Sequence, residues 1–179
     1  MNLQRAINVL ERVGYGKVGV EVGVKNGTFS RKLLLADRNL RLFLVDWWQE
    51  APKDSAYRRT GDKSALASYE KHERSFQAML DNVRPFWNRV CILRMPSSRA
   101  PAFLPKIDWA YLDADHSEEG CGADIDTYAP LCEEVAGHDW TAPEKAGNFG
   151  VQPAVRKRFR EFTTAGAQWF AHAKDYVAP

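Results

Sequence analysis

The fold is decided by one stretch, Lys17-Val18-Gly19-Val20-Glu21-Val22-Gly23-Val24-Lys25-Asn26-Gly27. It starts as an apolar run of the kind found in β-strands and ends as a turn that carries two glycines. A helical pattern from Thr28 to Ala36 follows directly. A strand, a glycine turn and a helix start bring backbone N–H groups close to a ligand at the helix N-terminus. The stretch therefore predicts a nucleotide-type binding turn.

The length and composition predict one soluble domain. The chain has 179 residues, 45% of them apolar, which is enough for a single domain with a sizeable core. No apolar run approaches the roughly 18 residues needed to span a bilayer. The first five residues lack the pattern of a signal peptide. We expect a cytoplasmic protein with no membrane partner.

Cysteine and charge content exclude further classes. Three scattered cysteines, none in a C-x-x-C pair, predict neither a disulfide framework nor a structural zinc site. The net charge is only +2, and the one basic cluster, residues 156–160, falls on a helical pattern. A solvated helix face explains this cluster, so no nucleic-acid partner is expected.

Strand and helix patterns alternate along the whole chain. Helices are predicted at 3–13, 28–36, 64–83 and 151–163, and a further helix follows His116, carries Cys121, Ile125, Tyr128 and Cys132, and is closed by Pro130. Strands are predicted at 17–22, 40–45, 90–93, 107–112 and 134–136, with further edge strands at 168–171 and 175–177. This alternation predicts an α/β fold with a mostly parallel sheet.

Polar residues collect where the predicted strands end. Asp46 ends the second strand, 23 residues after Gly23, where an acidic residue usually holds a pair of ribose hydroxyls. Ser97 follows the third strand, residues 113–116 follow the fourth, and residues 138–139 follow the fifth. Ligands of such sheets bind at the carboxyl ends of the strands, so these side chains are expected to share one site. The irregular segments 49–63 and 141–150 are predicted to cover that site and to hold a small-molecule acceptor.

Five segments together carry a family resemblance. They are Glu21–Gly27, Leu44–Asp46, Tyr111–Ser117, Gly137–Trp140 and Gly150–Val155. In this order they resemble class I S-adenosylmethionine-dependent methyltransferases. The resemblance is to the small bacterial and phage branch with D-x-D-H-S and G-H-D motifs, which is methyltransferase-24-like and related to macrocin-type sugar O-methyltransferases.

The resemblance implies a fold and a cofactor site. The implied fold is a Rossmann-like three-layer sandwich, in which a seven-stranded, mostly parallel sheet has an antiparallel edge strand. S-adenosylmethionine is the implied cofactor: Gly23 lets the backbone approach its methionine part, Asp46 binds the ribose, Trp47 stacks near the adenine and Ser97 lies at the adenine edge. Glu21, Lys25 and Asp113 complete the expected cofactor site.

The resemblance also implies a catalytic centre at the fourth and fifth strand ends. Asp113, His138 and Asp139 are candidate ligands of a divalent cation, Mg²⁺ or Mn²⁺, which would activate an acceptor hydroxyl. The imidazole of His138 suits Mn²⁺, Fe²⁺ or Zn²⁺ better than Mg²⁺. His116 resembles the general base, and Asp113 takes part with it in catalysis.

Simpler structural explanations stay open for several of these side chains. Asp113 could cap a helix or bind backbone at the strand end, and Asp115 could be the N-cap of the following helix. His72 is expected on an exposed helix face. Among the aromatic residues, Trp47, Trp48, Trp140 and Phe149 could wall the acceptor pocket or could be ordinary packing.

The leading prediction is O-methylation of a small hydroxylated acceptor such as a sugar. A nicotinamide-dependent dehydrogenase is disfavoured, because Gly19, Gly23 and Gly27 are spaced by four and do not form G-x-G-x-x-G. The alternative from another class is a non-catalytic binding or scaffold domain. It is prompted by a strand-five region that lacks the family's P-G-G turn. A homodimer is left open as the state of assembly.

Overall fold

The computed structural model describes residues 3–141 and 148–178. Within these ranges the strands are β1 (Val18–Val22), β2 (Arg41–Asp46), β3 (Val90–Arg94), β4 (Trp109–Leu112), β5 (Glu134–Gly137), β6 (Thr163–Ala165) and β7 (Gln168–His172). They form one sheet in the order β3-β2-β1-β4-β5-β7-β6. Strands β1 to β5 pair in parallel, and β7 runs antiparallel to both β5 and β6. The predicted seven-stranded sheet is confirmed, with the antiparallel strand next to the edge strand.

Helices cover both faces of the sheet. They are α1 (Gln4–Val13), α2 (Thr28–Ala36), α3 (Ala56–Arg59), α4 (Tyr69–Val83), α5 (Glu118–Tyr128) and α6 (Val151–Arg158). Helices α1, α2 and α4 supply one buried apolar cluster with the sheet, and α5 and α6 supply the other. The Rossmann-like three-layer sandwich is therefore confirmed.

Strand β1 lies in the middle of the sheet, between β2 and β4. Val20 and Val22 are buried in the cluster on the α5 and α6 face. Because side chains alternate along a strand, Glu21 points to the opposite face. It is only 2% exposed. A carboxylate thus occupies a position that packing alone would give to an apolar residue.

Strand β5 is short but fully paired. Its four residues pair with β4 on one side and with β7 on the other. The strand therefore holds the following residues, His138 and Asp139, in register with the end of β4.

The helix predicted to reach residue 163 is shorter than expected. It ends at Arg158, and Phe159 is extended, with φ −127° and ψ 132°. The ring of Phe159 packs against Trp169, with 6.0 Å between the ring centroids. Residues 163–165, whose beginning was assigned to the helix, belong to β6. The helical spacing of Phe159 and Phe162 thus reflects packing beyond the end of the helix.

Other boundaries also differ from the prediction. The helix predicted from residue 64 begins at Tyr69, after Ser68 in an extended conformation. The predicted edge strand at 175–177 is wrong: residues 173–175 form a 3₁₀ turn, and Tyr176 makes only an isolated bridge to Phe159. Cys132 lies beyond the end of α5 rather than on it.

Candidate functional site

A cavity of about 770 Å³ opens at the carboxyl ends of β1, β2, β4 and β5. It is lined by every residue that the sequence assigned to the cofactor, catalytic and metal sites: Glu21, Gly23, Lys25, Asp46, Trp47, Ser97, Asp113, His116, His138 and Asp139. Residues of the segment 49–67 form another wall. The structure thus brings the candidate residues together, while their individual roles stay predictions.

The turn after β1 passes very close to the end of β4. Gly23 has φ +90°, and a Cβ built on it would lie 2.1 Å from the carbonyl oxygen of Asp113. Only glycine fits this conformation and this close approach. Just before the turn, Oε2 of Glu21 has no hydrogen-bond partner among residues 3–141 and 148–178. Burial raises the pKa of Glu21 to about 8.

Asp46 joins the turn after β1 to the end of β2. Its Oδ2 accepts the backbone N–H of Lys25 and its Oδ1 accepts that of Trp48, both at 2.8 Å. The indole N–H of Trp48 donates to the carbonyl of Lys25 at 2.7 Å. Lys25 and Trp48 adopt positive φ angles of 55° and 48°, a conformation that costs free energy unless the surroundings impose it. Each oxygen of Asp46 keeps a lone pair for a ligand hydroxyl.

The aromatic candidates separate into two groups. Trp47 is 45% exposed on the wall of the cavity, and Phe149 also lines it. Trp48 is 1% exposed and its ring packs against Phe76, so its side chain is structural. Trp140 packs against Phe162, 5.0 Å between ring centroids.

Ser97 is held by two partners from α5. Its hydroxyl donates to Oδ1 of Asp124 at 2.6 Å, and the hydroxyl of Tyr128 donates to its carbonyl at 2.8 Å. Burial raises the pKa of Asp124 to about 7. The loop after β3 is therefore fixed against α5.

Acidic and imidazole groups meet after β4 and β5. Nε2 of His116 lies 3.0 Å from Oδ2 of Asp139 and 3.4 Å from Oδ1 of Asp113. Nδ1 of His138 lies 3.2 Å from Oδ2 of Asp139 and 4.0 Å from Oδ1 of Asp113. Donor atoms of Asp113, His116 and Asp139 all lie within 4.8 Å of one another. Two oxygens and one imidazole nitrogen could hold a divalent cation, and His138 lies at the side of this group.

Carboxylates hold His116 in its protonated form. Burial alone would lower the pKa of His116, but hydrogen bonds with Asp113, Asp139 and Asp62 outweigh it and raise the pKa to about 12. Burial would raise the pKa of Asp139, yet its bonds with His116 and His138 hold this pKa far below the usual range. At neutral pH the cluster therefore contains an imidazolium between carboxylates.

Arg5 of α1 is a site residue that the sequence analysis missed. Its guanidinium forms an ion pair with Oδ2 of Asp113 and lies over the ring of Phe29, 4.2 Å from the centroid. It also donates to the hydroxyl of Tyr111 at 2.9 Å. The sequence contained one indication of this role: Arg5 lies four residues before Val9, so a charged residue falls on the apolar side of the helix.

Asp62 and Tyr57 were also missed. The carboxylate of Asp62 contacts Nδ1 of His116, and the ring of Tyr57 lies edge-on to the imidazole, 6.1 Å between centroids. Both residues belong to the polar segment that was predicted to cover the site. The sequence of that segment contains no periodicity that would single them out.

Two structural expectations are corrected. Asp115 is not the N-cap of α5: this position belongs to Ser117, whose hydroxyl accepts the N–H of Gly120 at 3.0 Å. Asp115 instead accepts the N–H of Ser117 at 2.8 Å. His72 is not exposed but half-buried, and it lines the cavity.

The mostly parallel seven-stranded sheet with helices on both faces is that of the Rossmann-like α/β methyltransferase fold. A family model described as a methyltransferase domain matches residues 20–139, well over half of the chain. The protein therefore belongs to this methyltransferase-domain family.

Solved structures share the fold at low sequence identity. Rv0187 from MTB, in a cofactor-bound crystal structure, is 14% identical with a TM-score of 0.66, over 98% of this chain and 82% of that chain. A putative caffeoyl-CoA O-methyltransferase from Staphylococcus aureus is 11% identical with a TM-score of 0.63, over 95% and 81%. The calicheamicin methyltransferase CalS11 is 16% identical with a TM-score of 0.62, over 95% and 76%. At these identities the likeness concerns the fold alone.

No curated protein matches the sequence. Among the helices in the described part of the chain, none is long and apolar enough to cross a membrane.

Proposed function

We propose that the protein is an S-adenosylmethionine-dependent O-methyltransferase that acts in the cytoplasm on a small hydroxylated acceptor such as a sugar. The observation that carries this proposal is the convergence of all ten predicted site residues on one cavity in a chain of the methyltransferase-domain family. The likeness in fold to a putative caffeoyl-CoA O-methyltransferase and to calicheamicin methyltransferase supports it.

The cavity has features that fit the proposed cofactor. Oε2 of the buried Glu21 carboxyl has no hydrogen-bond partner among the described residues and suits the ammonium group of the methionine part, and Gly23 lets the turn after β1 pass close to the end of β4. The remaining lone pairs of Asp46 suit the two ribose hydroxyls. Lys25, Trp47 and Ser97 complete this half of the site. When bound, S-adenosylmethionine would supply a methyl group on a sulfonium sulfur, and the acceptor oxygen would bond to the methyl carbon as the carbon–sulfur bond breaks, leaving a neutral thioether.

His116 is proposed as the group that takes the acceptor proton. A base must lose its own proton first, and the neighbouring carboxylates oppose this by raising the pKa of His116. Additional positive charge beside Asp113 and Asp139 would offset the carboxylates. This requirement is the physical argument for a divalent cation in the proposal.

Asp113 and Asp139 would hold such a cation, with His138 as the third ligand, so that Nε2 of His116 stays available for the proton. When bound, Mg²⁺ or Mn²⁺ would lower the pKa of the acceptor hydroxyl. A site that includes an imidazole suits Mn²⁺ better than Mg²⁺. Arg5 would keep Asp113 oriented through their ion pair.

The basic cluster at 156–160 bears on the class of acceptor in this proposal. Most of the basic cluster at 156–160 is engaged within the protein: Arg158 pairs with Asp126 at 2.8 Å, Lys157 pairs with Glu118, and Arg156 lies over Trp140. We therefore propose a small-molecule acceptor rather than a nucleic acid. The scaffold alternative depended on a short strand five, and β5 is paired along its whole length.

Calorimetry with S-adenosylmethionine and S-adenosylhomocysteine tests the cofactor assignment. Wild type is expected to bind both and not NAD. Asp46→Ala is expected to weaken binding about 100-fold, because two hydrogen bonds to a charged acceptor contribute about 3 kcal/mol together.

Asp37→Ala is the matched control for the Asp46 variant. Asp37 also braces two backbone N–H groups, those of Gly16 and Asn39, but it lies outside the cavity. It is expected to lose stability and to keep its cofactor affinity. Absence of binding by wild type at millimolar concentration of either sulfur compound would refute the proposed function.

Titration with Mn²⁺ tests the metal assignment. Asp139→Asn is expected to lower the Mn²⁺ affinity at least about tenfold, because it removes an ionised ligand. Comparison of His138→Gln with His116→Gln identifies the imidazole that binds. Asp81→Asn, on the exposed side of α4, is the control. Equal affinity in wild type and Asp139→Asn would remove the metal from the proposal.

A further inference from the structure

We propose that Asp62 is a positioning residue that orients the imidazole of His116 from the segment covering the cavity. The inference rests on the proposed function, in which His116 exchanges a proton with the acceptor. No role was assigned to Asp62 by the sequence motifs, because it lies between strands in a segment without periodicity.

The two nitrogens of His116 have different surroundings. Nδ1 contacts the carboxylate of Asp62, whereas Nε2 faces Asp139 and Asp113 at 3.0 and 3.4 Å. A carboxylate can only accept, so Nδ1 carries a proton and donates it to Asp62. The proton that His116 exchanges with an acceptor is therefore the one on Nε2, which points to the ends of β4 and β5.

Asp62 is fixed independently of the histidine. Its Oδ1 accepts the N–H of Ser64 at 2.6 Å, and its own N–H donates to the hydroxyl of Thr60 at 3.2 Å. Its side chain is only 10% exposed and that of His116 only 13%. The carboxylate is thus held in place by its own turn, and the imidazole must adapt to it.

Aromatic rings set the plane of the imidazole, and Asp62 selects which of the two ring orientations related by a flip about Cβ–Cγ is adopted. Phe149 stacks on His116 with 4.6 Å between centroids and 23° between planes. Tyr57 lies edge-on at 78°. These contacts do not distinguish one ring nitrogen from the other, because a 180° flip about the Cβ–Cγ bond keeps the ring in the same plane. The bond to Asp62 makes that distinction.

This contact links the covering segment to the catalytic centre. Asp62 lies three residues after Arg59, the last residue of α3. The carbonyl oxygen of Arg59 accepts a hydrogen bond of 3.2 Å from the side-chain amide of Asn148. His116 can be oriented in this way only while the segment lies over the cavity. The orientation of His116 therefore depends on the position of the covering segment.

NMR of protein labelled with ¹⁵N-histidine tests the inference directly. In wild type, a proton on Nδ1 of His116 is expected at strongly downfield shift, because it is bound to a carboxylate. The signal is assigned by its loss in His116→Gln. It should disappear in Asp62→Ala, move upfield in Asp62→Asn and be retained in Asp62→Glu.

Matched variants separate positioning from a general structural effect. Asp62→Asn keeps the oxygen that accepts from Ser64 and so preserves the turn. Asp54→Asn changes an exposed aspartate of the same segment and should leave the signal unchanged. A wild-type signal without the downfield shift, or one that survives in both Asp62→Ala and Asp62→Asn, would overturn the inference. S-adenosylmethionine calorimetry on the same samples reports separately on the proposed function.

Discussion

Gly23→Ala is expected to lower the stability of the protein by about 3 kcal/mol or more and to abolish cofactor binding. The residue has φ +90°, and its added Cβ would meet Asp113 O at 2.1 Å and Ala114 N at 2.6 Å. Both obstacles are backbone atoms at the end of a central strand, so neither can move without disturbing the pairing of β1 with β4. Thermal unfolding should show a melting temperature lower by about 10 °C, and calorimetry should show no binding of S-adenosylhomocysteine.

Gly166→Ala provides the matched control. Gly166 lies between β6 and β7 with φ +60°, and among the described residues no atom lies within 4 Å of its added Cβ. This variant has the conformational strain without the collision. It is expected to cost about 1 kcal/mol and to keep its cofactor affinity. If Gly23→Ala were no less stable than Gly166→Ala, the close approach to β4 would not be what requires glycine at residue 23.

The sheet and the location of the site were both predictable from the apolar runs of the parallel strands. Parallel strands buried on both faces give near-continuous apolar runs, and their carboxyl ends meet at one edge. Asp46 ends such a run, Asp113 follows one directly and Asp139 is the second residue after β5, so their convergence follows from topology alone. The glycine spacing predicted in addition that the first turn would not be a dinucleotide turn.

Arg5 and Asp62 were not predictable in this way. Arg5 reaches Asp113 from a helix 108 residues away in sequence, and Asp62 reaches His116 from 54 residues away. Neither contact is set by the period of a strand or helix. Each depends on how a whole element docks on the sheet, which local pattern does not encode.

The end of the last helix shows a related limit. Phe159 and Phe162 continue the apolar spacing of α6, so the sequence predicted a longer helix. In the structure both are used for tertiary packing, Phe159 against Trp169 and Phe162 against Trp140. A helical period and two separate packing contacts produce the same sequence pattern.

Glu21→Gln is expected to make the protein more stable at alkaline pH and weaker in cofactor binding. The carboxyl is 2% exposed, and burial raises its pKa from 4.5 to about 8. The folded state therefore holds this proton more tightly than the unfolded state. The stability that this bound proton contributes to wild type is fully present below pH 4.5 and is lost as the pH rises through about 8.

Above pH 8 this ionisation lowers the free energy of unfolding of wild type by at most about 4 kcal/mol. Relaxation of the protein around the ionised group would reduce this loss. Glutamine has no charge to bury, so its stability should not fall over this range. Thermal unfolding at pH 5, 7 and 9 should show similar melting temperatures for wild type and Glu21→Gln at pH 5. At pH 9 the melting temperature of Glu21→Gln should be higher than that of wild type by several degrees. The exposed variant Glu161→Gln should change little at any of these pH values.

The cofactor affinity of Glu21→Gln tests whether the protein retains this destabilising buried carboxyl in order to bind the cofactor. If the ammonium group of S-adenosylmethionine pairs with Glu21, binding supplies the charge that the folded protein lacks, and the pKa of Glu21 should fall when the cofactor binds. Glu21→Gln should then weaken cofactor binding about tenfold or more, because it removes a charge-assisted hydrogen bond. A variant that is both more stable at pH 9 and unchanged in affinity would show that this carboxylate does not hold the cofactor. Stabilisation together with weaker binding would mean that the protein gives up stability at Glu21 for its cofactor.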